Sequence, residues 1–281
     1  KEGNHIAKQL QSHFESMGSG GKVTKELLQR ALNQFENSFD GENGGFGRAP
    51  KFPAGHNLLF LLTLSQLEQD ENAFNMAEFT LLQMAKGGIF DHIGGGFARY
   101  STDNHFLVPH FEKMLYDNAL LLMAYAECYS ISKAPFCKSV AEKTANFVLV
   151  EMTHAGGAFF SAQDADSDGE EGKYYVFTPD EIINILGEAD GKLFCQWFNI
   201  TPQGNFEGKS IPNRLNQDLI DDPKINALAK KVYEYRKDRT RLHTDDKILT
   251  AWNALMIQAL TFAGRKLQRQ EYIQKAMEAE S

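Results

Sequence analysis

With 281 residues, 42% of them hydrophobic, the chain has ample capacity for a buried core. Its formal net charge of −8 is spread along the chain, which excludes the basic face that nucleic acid requires of a partner. No apolar run approaches the ~20 residues of a membrane span, the N-terminus lacks the apolar stretch of a secretory signal, and Cys128, Cys137 and Cys195 show no C-x-x-C spacing. These features predict a reduced, cytoplasmic protein with no membrane association, no disulfides and no zinc.

Helical periodicity runs over 4–16, 24–39, 55–69, 71–86, 110–132, 135–152, 179–187, 189–198, 223–238, 245–267 and 270–281. The first of these reads as a lead-in helix, followed by a flexible turn at Ser16–Lys22. Thr178-Pro179-Asp180-Glu181 is a helix start, with proline at the first position and acids in the first turn. Strand-like sequence is confined to Gly96–Tyr100, Ala158–Ala162 and Lys173–Phe177, the last two reading as a long hairpin around an acidic turn. No proline- or serine-rich linker divides the chain, so residues 1–281 are expected to form one all-α domain with small β-ribbons in its loops.

A lysine precedes an asparagine and an apolar helical run three times, at Lys51/Asn57, Lys113/Asn118 and Lys247/Asn253. The asparagines are 61 and 135 residues apart, close to one and two steps of a unit of roughly 60 to 70 residues, a helix pair with a loop. Gly44-Gly45-Phe46, Gly87-Gly88-Ile89 and Gly156-Gly157-Ala158 punctuate the repeat as turns or helix caps. Polar starts on every second helix predict inner and outer rings of an α/α toroid. A six-pair ring needs twelve helices, so an incomplete ring or a fragment is expected.

His110, Lys113 and Asp117 open the 110–132 segment at one-face spacing, which predicts a polar helix start facing a cleft, with Tyr116 beside it. Ser161–Gly172 is the densest acidic stretch. Asp164, Asp166, Asp168 and Gly169 match the start of a calcium loop, but Tyr175 stands where its bidentate glutamate belongs, so the metal match is broken. The stretch is either a solvated hairpin tip or a source of paired carboxylates, of which one would have a raised pKa. His243, Asp245 and Asp246 precede the third copy, with Trp252 and Asn253 one turn in. Either aspartate can cap that helix, and the indole can serve the core or a sugar platform. Arg99 and Tyr100 follow a glycine run that has no phosphate-loop signature, and no spacing of His92, His105 and His110 fits a metal.

Six motifs in order resemble the spermatogenesis-associated, thioredoxin-like protein family. They are Gly44–Pro53, Gly87–Tyr100, His110–Ala119, Asp164–Gly172, Gly204–Lys209 and Asp245–Asn253. The resemblance implies an (α/α)6 toroid similar to the N-acylglucosamine and cellobiose 2-epimerases, with a thioredoxin-like domain ahead of it and the closing part of the ring beyond this chain. It implies a saccharide ligand at the rim formed by the inner helix starts, and no cofactor. Epimerase-like acid–base chemistry would use His110 and His243. Glycoside hydrolysis would instead pair Asp164 or Asp166 with Asp245 or Asp246, and a third reading is a scaffold that binds without turnover. Arg99, Tyr100, Lys113, Tyr116, Asp117, Trp252 and Asn253 are the expected substrate contacts.

Overall fold

Leucine and alanine crowd every face of three segments, and helices apolar all round are covered on all sides. The computed structural model describes residues 24–280 together with Gly3, Ile6 and Lys8. The expected lead-in helix and its turn fall almost entirely outside those residues. The chain divides into two compact units, 1–38 and 39–281. In the first, α1 (Lys25–Ser38) buries Leu32, and its last hydroxyl, Ser38 Oγ, donates back to Gln34 O at 2.9 Å.

The second unit is built on three inner helices, α2 (Gly55–Glu68), α4 (Leu115–Ser132) and α9 (Thr250–Leu267). Each is followed by an outer partner: α3 (Glu71–Lys86), α5 (Pro135–Glu151) and α10 (Gln270–Glu280). All three inner helices end on a left-handed residue that is not glycine, namely Gln69, Lys133 and Gln268. In each, the cap N–H donates four residues back, and this shared cap turns the chain into the partner helix. α2 packs on α4 and α4 on α9, while α3 touches α5 behind them. A Cβ on Gly55 would lie 2.8 Å from Leu120 Cβ, so this glycine sets the close approach of α2 to α4. The result is the two-layered arrangement of an α/α toroid, here an arc of three hairpins.

Between the second and third hairpins, α6 (Pro179–Leu186), α7 (Glu188–Trp197) and α8 (Pro223–Arg239) form an insertion. It has its own core of Phe177, Ile182, Phe194, Phe198, Ile200 and Val232. Thr178 caps α6 as its sequence predicts, accepting from Glu181 N at 3.3 Å.

Among the described residues, seven two-residue strands make the ribbons. β1 (Tyr100–Ser101) pairs with β2 (Pro109–His110), β3 (Lys113–Met114) with β4 (Ala162–Gln163), β4 with β7 (Thr244–Asp245), and β5 (Asp166–Ser167) with β6 (Glu170–Glu171), all antiparallel. Two helices therefore start later than their periodicity predicts, at Leu115 instead of 110 and at Thr250 instead of 245. The intervening backbone is committed to strand partners: Glu112 O accepts from Arg99 N, Ser161 O from Leu115 N, and Asp245 O from Ser161 N. Leu249 stands at the start of α9, so neither Asp245 nor Asp246 caps it. The long hairpin does not form. Ala162 turns to β3 and β7, while Phe177 bridges Ser210, because Tyr174, Tyr175 and Val176 are drawn into a small core around Phe111.

The internal repeat is present in part: the glycine pair that matches Gly44-Gly45 is Gly95-Gly96 and not the expected Gly87-Gly88, and the third lysine, Lys247, pairs with Asp245 instead. Phe39 and Phe90 bridge Phe46 and Phe97, and Asp40 and Asp91 each exchange the same pair of backbone bonds with the following Gly-Gly. Into the first loop Lys51 Nζ donates to Asp40 Oδ2 (2.6 Å) and Gly44 O (2.7 Å). Into the second, Lys113 Nζ donates to Asp91 Oδ2 (2.8 Å) and Gly95 O (2.7 Å). Asn118 and Asn253 each clamp one residue of the turn that faces their helix, Phe97 and Phe159, through both its N–H and its C=O.

Candidate functional site

The ribbons place separated segments at the starts of the inner helices. β3 runs directly into α4, β7 leads to α9, and Lys51, just ahead of α2, bridges Ser101 of β1. Strand register then aligns the side chains. Lys113 faces Gln163 and Gln163 faces Thr244, so one step along the strands Glu112, Asp164 and His243 fall in a row. Alternation puts them on the face opposite Lys113. Asp164 and His243 are exposed there, and Asp164 N donates to His243 O at 2.9 Å.

Beside this row His110 Nδ1 bonds Glu171 Oε1 at 2.8 Å, its Nε2 lies 3.7 Å from Glu112 Oε2, and its ring stacks on Tyr100 at 5.2 Å. Tyr100 in turn packs against Phe52, which is 57% exposed, so the aromatic stack ends in solvent. Asp166 sits across the β5–β6 pair from Glu171. On the other flank Tyr116 meets Trp252 edge to face at 4.8 Å.

Between these flanks lies a polar cluster. Arg99 Nη1 donates to Glu112 Oε2 at 3.0 Å, and the Tyr116 hydroxyl sits near both the guanidinium and the Asp117 carboxyl. Asp117 Oδ2 is buried with no further partner, as is Arg99 Nε. Burial raises the Asp117 carboxyl from 3.8 to about 7, with the Tyr116 bond and the Arg99 charge opposing the rise and the Glu112 charge adding to it. A carboxyl in that range holds or releases a proton near neutral pH, which is what a general acid or base must do.

The predicted contacts therefore divide. Arg99, Tyr100, His110, Tyr116, Asp117 and Trp252 come together, with Asp164, Asp166 and His243 on the adjoining ribbons. Lys113 and Asn253 are built into the scaffold instead. Lys113 is 2% exposed and lies on the opposite strand face in a buried triad with Asp91 and Arg236, not on a helix face shared with His110. Burial alone would raise Asp91, but the charges of Arg236 and Lys113 outweigh it and hold the carboxyl well below its ordinary range. Asp245 is paired with Lys247 at 2.5 Å, which lowers its pKa, and Asp246 is exposed in the loop before α9. Sequence reasoning passed over Glu112 and Glu171. The period-two spacing of His110 and Glu112 was the available signal for the first, and nothing local marks the second. Among the described residues no group of three or more His, Cys, Asp or Glu side chains is arranged to hold a metal ion, and no helix is long and apolar enough to cross a membrane.

No protein-family model matches the chain. Mouse spermatogenesis-associated protein 20 is 36% identical to it over 290 residues, 89% of this chain and 37% of that protein. The chain is homologous to part of that protein. The human spermatogenesis-associated protein 20 is 36% identical over 287 residues, 88% of this chain and 36% of the protein. An uncharacterized protein of Caenorhabditis elegans is 30% identical over 316 residues, 98% of this chain and 43% of its own length. The chain thus spans about 37% of the length of the mouse relative. Similar solved structures include an alpha-1,6-mannanase of Salegentibacter sp. in complex with alpha-1,6-mannotetrose, with TM-score 0.46, 14% identity, and coverage of 81% of this chain and 45% of that one. A cellobiose 2-epimerase from Bacillus thermoamylovorans has TM-score 0.43 and 11% identity, covering 92% and 87%.

Proposed function

We propose that the mouth at the starts of α2, α4 and α9 binds a mono- or oligosaccharide and moves a proton on it, in an epimerase- or isomerase-like acid–base reaction. The observation that carries this reading is Asp117, a half-buried carboxyl with its Oδ2 out of solvent, poised at about 7 in one cluster with Tyr116 and the Arg99–Glu112 pair. A sugar ring presents apolar C–H faces and a rim of hydroxyls. The Phe52–Tyr100–His110 stack and the Tyr116–Trp252 pair offer the faces, and Arg99, Glu112 and Asp164 offer partners for the hydroxyls. Epimerisation beside a carbonyl needs one group to take a proton and a second to return it. Asp117 and His110 are of the right chemical class for that division. A thioredoxin-like domain elsewhere in the full-length protein belongs to the same proposal.

Glycoside hydrolysis is the second reading, favoured by the register that sets Glu112 opposite Asp164 on one sheet face. The test is turnover of mannose- and glucose-type sugars and of their oligosaccharides by the wild type, Asp117→Asn and His110→Ala. Epimerisation that falls about 10²–10⁴-fold in Asp117→Asn with the fold retained supports the first reading. Release of reducing ends without interconversion supports the second. Saccharide binding without turnover leaves a scaffold, and no binding discards the carbohydrate reading.

A further inference from the structure

We propose that a second cleft, between the first turns of α5 and the loop ahead of α8, binds an oxyanion, the phosphate group of a small organic phosphate, through Lys143 and Arg214. Among the residues lining it are His92, Phe136, Ser139, Lys143, Trp197 and Arg214. None of them belongs to the Asp117 cluster.

Arg214 is only 5% exposed. Its backbone N–H is held by Lys86 O at 2.7 Å, its Nη2 donates to Asp218 O, and its guanidinium lies 4.4 Å from the centre of the Trp197 ring. Its Nε has no partner. The Lys143 ammonium makes no hydrogen bond or ion pair among the described residues, although burial lowers its pKa and the charge of Arg214 lowers it further. Two half-desolvated cations in one cleft, neither with a carboxylate in contact, are costly unless an anion joins them.

The nearby acids are engaged elsewhere. Asp222 accepts from Lys224 N and Ile225 N at the start of α8, and Asp221 accepts from Asn226 Nδ2 at 2.8 Å. Asp221 supports the Lys143 charge from a distance without forming an ion pair. His92 is pushed down to about 4 by burial and then by Lys143, so it stays neutral and its Nε2 bonds Gly87 O. The first turn of α5 has Ala134 as its cap, with no side chain to satisfy the Phe136 N–H, while Pro135 has none and Cys137 N–H donates to Ala134 O; Pro135, Phe136 and Ser139 of this positive helix end line the cleft.

Two cations and a helix start suit a dianion better than a single carboxylate, with the guanidinium supplying the fork and the ammonium a point charge. Free space in the cleft is about 70 Å³, a few waters on a scale of ~15 Å³ each, enough for one tetrahedral group. Phe136, Trp197 and Phe198 line an apolar side for the organic remainder.

The chain has two tryptophans, so in a Trp252→Phe background the fluorescence of Trp197 reports on Arg214 directly. Titration with inorganic phosphate at constant ionic strength is expected to give a saturable change. Lys143→Met, and separately Ser139→Glu with a native circular dichroism spectrum, are each expected to weaken it roughly tenfold. Acetate at the same ionic strength is expected to bind more weakly by a similar factor. The proposal is overturned by an absence of saturation, by a response that survives both substitutions, or by acetate acting as well as phosphate.

Discussion

Replacing Asp117 by asparagine removes a proton-binding group whose folded pKa is about 7 against an ordinary 3.8. Between those values the folded chain keeps a proton that the unfolded chain has released. Stability therefore falls as the pH rises through that window and stays at the lower level above it. At about 1.36 kcal/mol per pH unit the gap corresponds to about 4 kcal/mol, an upper figure for the cost of carrying this carboxylate in its buried place. The asparagine is neutral at every pH and keeps an oxygen beside the Tyr116 hydroxyl. Urea unfolding of wild type and Asp117→Asn at about pH 4 and about pH 8 separates this effect from all other titrations. The difference between the two proteins should be small at the acid end, and the variant should be the more stable by up to about 4 kcal/mol at the alkaline end. The same variant is the one expected to lose turnover, so stability gained and activity lost would come from one atom. A difference that is equal at both pH values, or a variant less stable at the higher one, would refute the reasoning.

Four further outcomes rest on the placement of the remaining residues. Asn253→Ala orphans the N–H and C=O of fully buried Phe159 and should cost about 3 kcal/mol by urea unfolding; the matching loss at Asn118→Ala checks that the two copies are equivalent. Lys113→Met should also cost about 3 kcal/mol, because Asp91 keeps its bidentate Arg236 but loses one buried partner. Lys247→Met, on an exposed pair, should barely move the midpoint. Phe52→Ala should leave stability unchanged, since the ring is 57% exposed, and should weaken saccharide binding severalfold in calorimetry.

The helices were legible because their signals are local. The all-round apolar runs mark the inner helices, and Pro179 after Thr178 marks a capped start. That small ribbons occupy the loops was legible too, but not which segments pair, because a two-residue strand has no periodicity of its own. Lys113–Met114 is extended only because Ala162–Gln163, about fifty residues away, accepts and donates to it. That contact moves the helix start to Leu115 and turns Lys113 from the cleft into the buried triad. The i, i+3, i+7 spacing of His110, Lys113 and Asp117 reads as one helix face toward a cleft, whereas Lys113 staples the Asp91 loop of the scaffold. Asp117 was recognisable as a member of the site but not as its titrating group, since the burial that raises its pKa comes from chain folded around it.

In the proposed function the converging ribbons make Asp117 an acid–base group acting on a sugar. Deuterium incorporation at C2 of a mannose or glucose type substrate in heavy water measures this most directly. Label at C2 is expected with the wild type and none with Asp117→Asn. Unlabelled sugar with the folded wild type, or equal labelling by the variant, would contradict it.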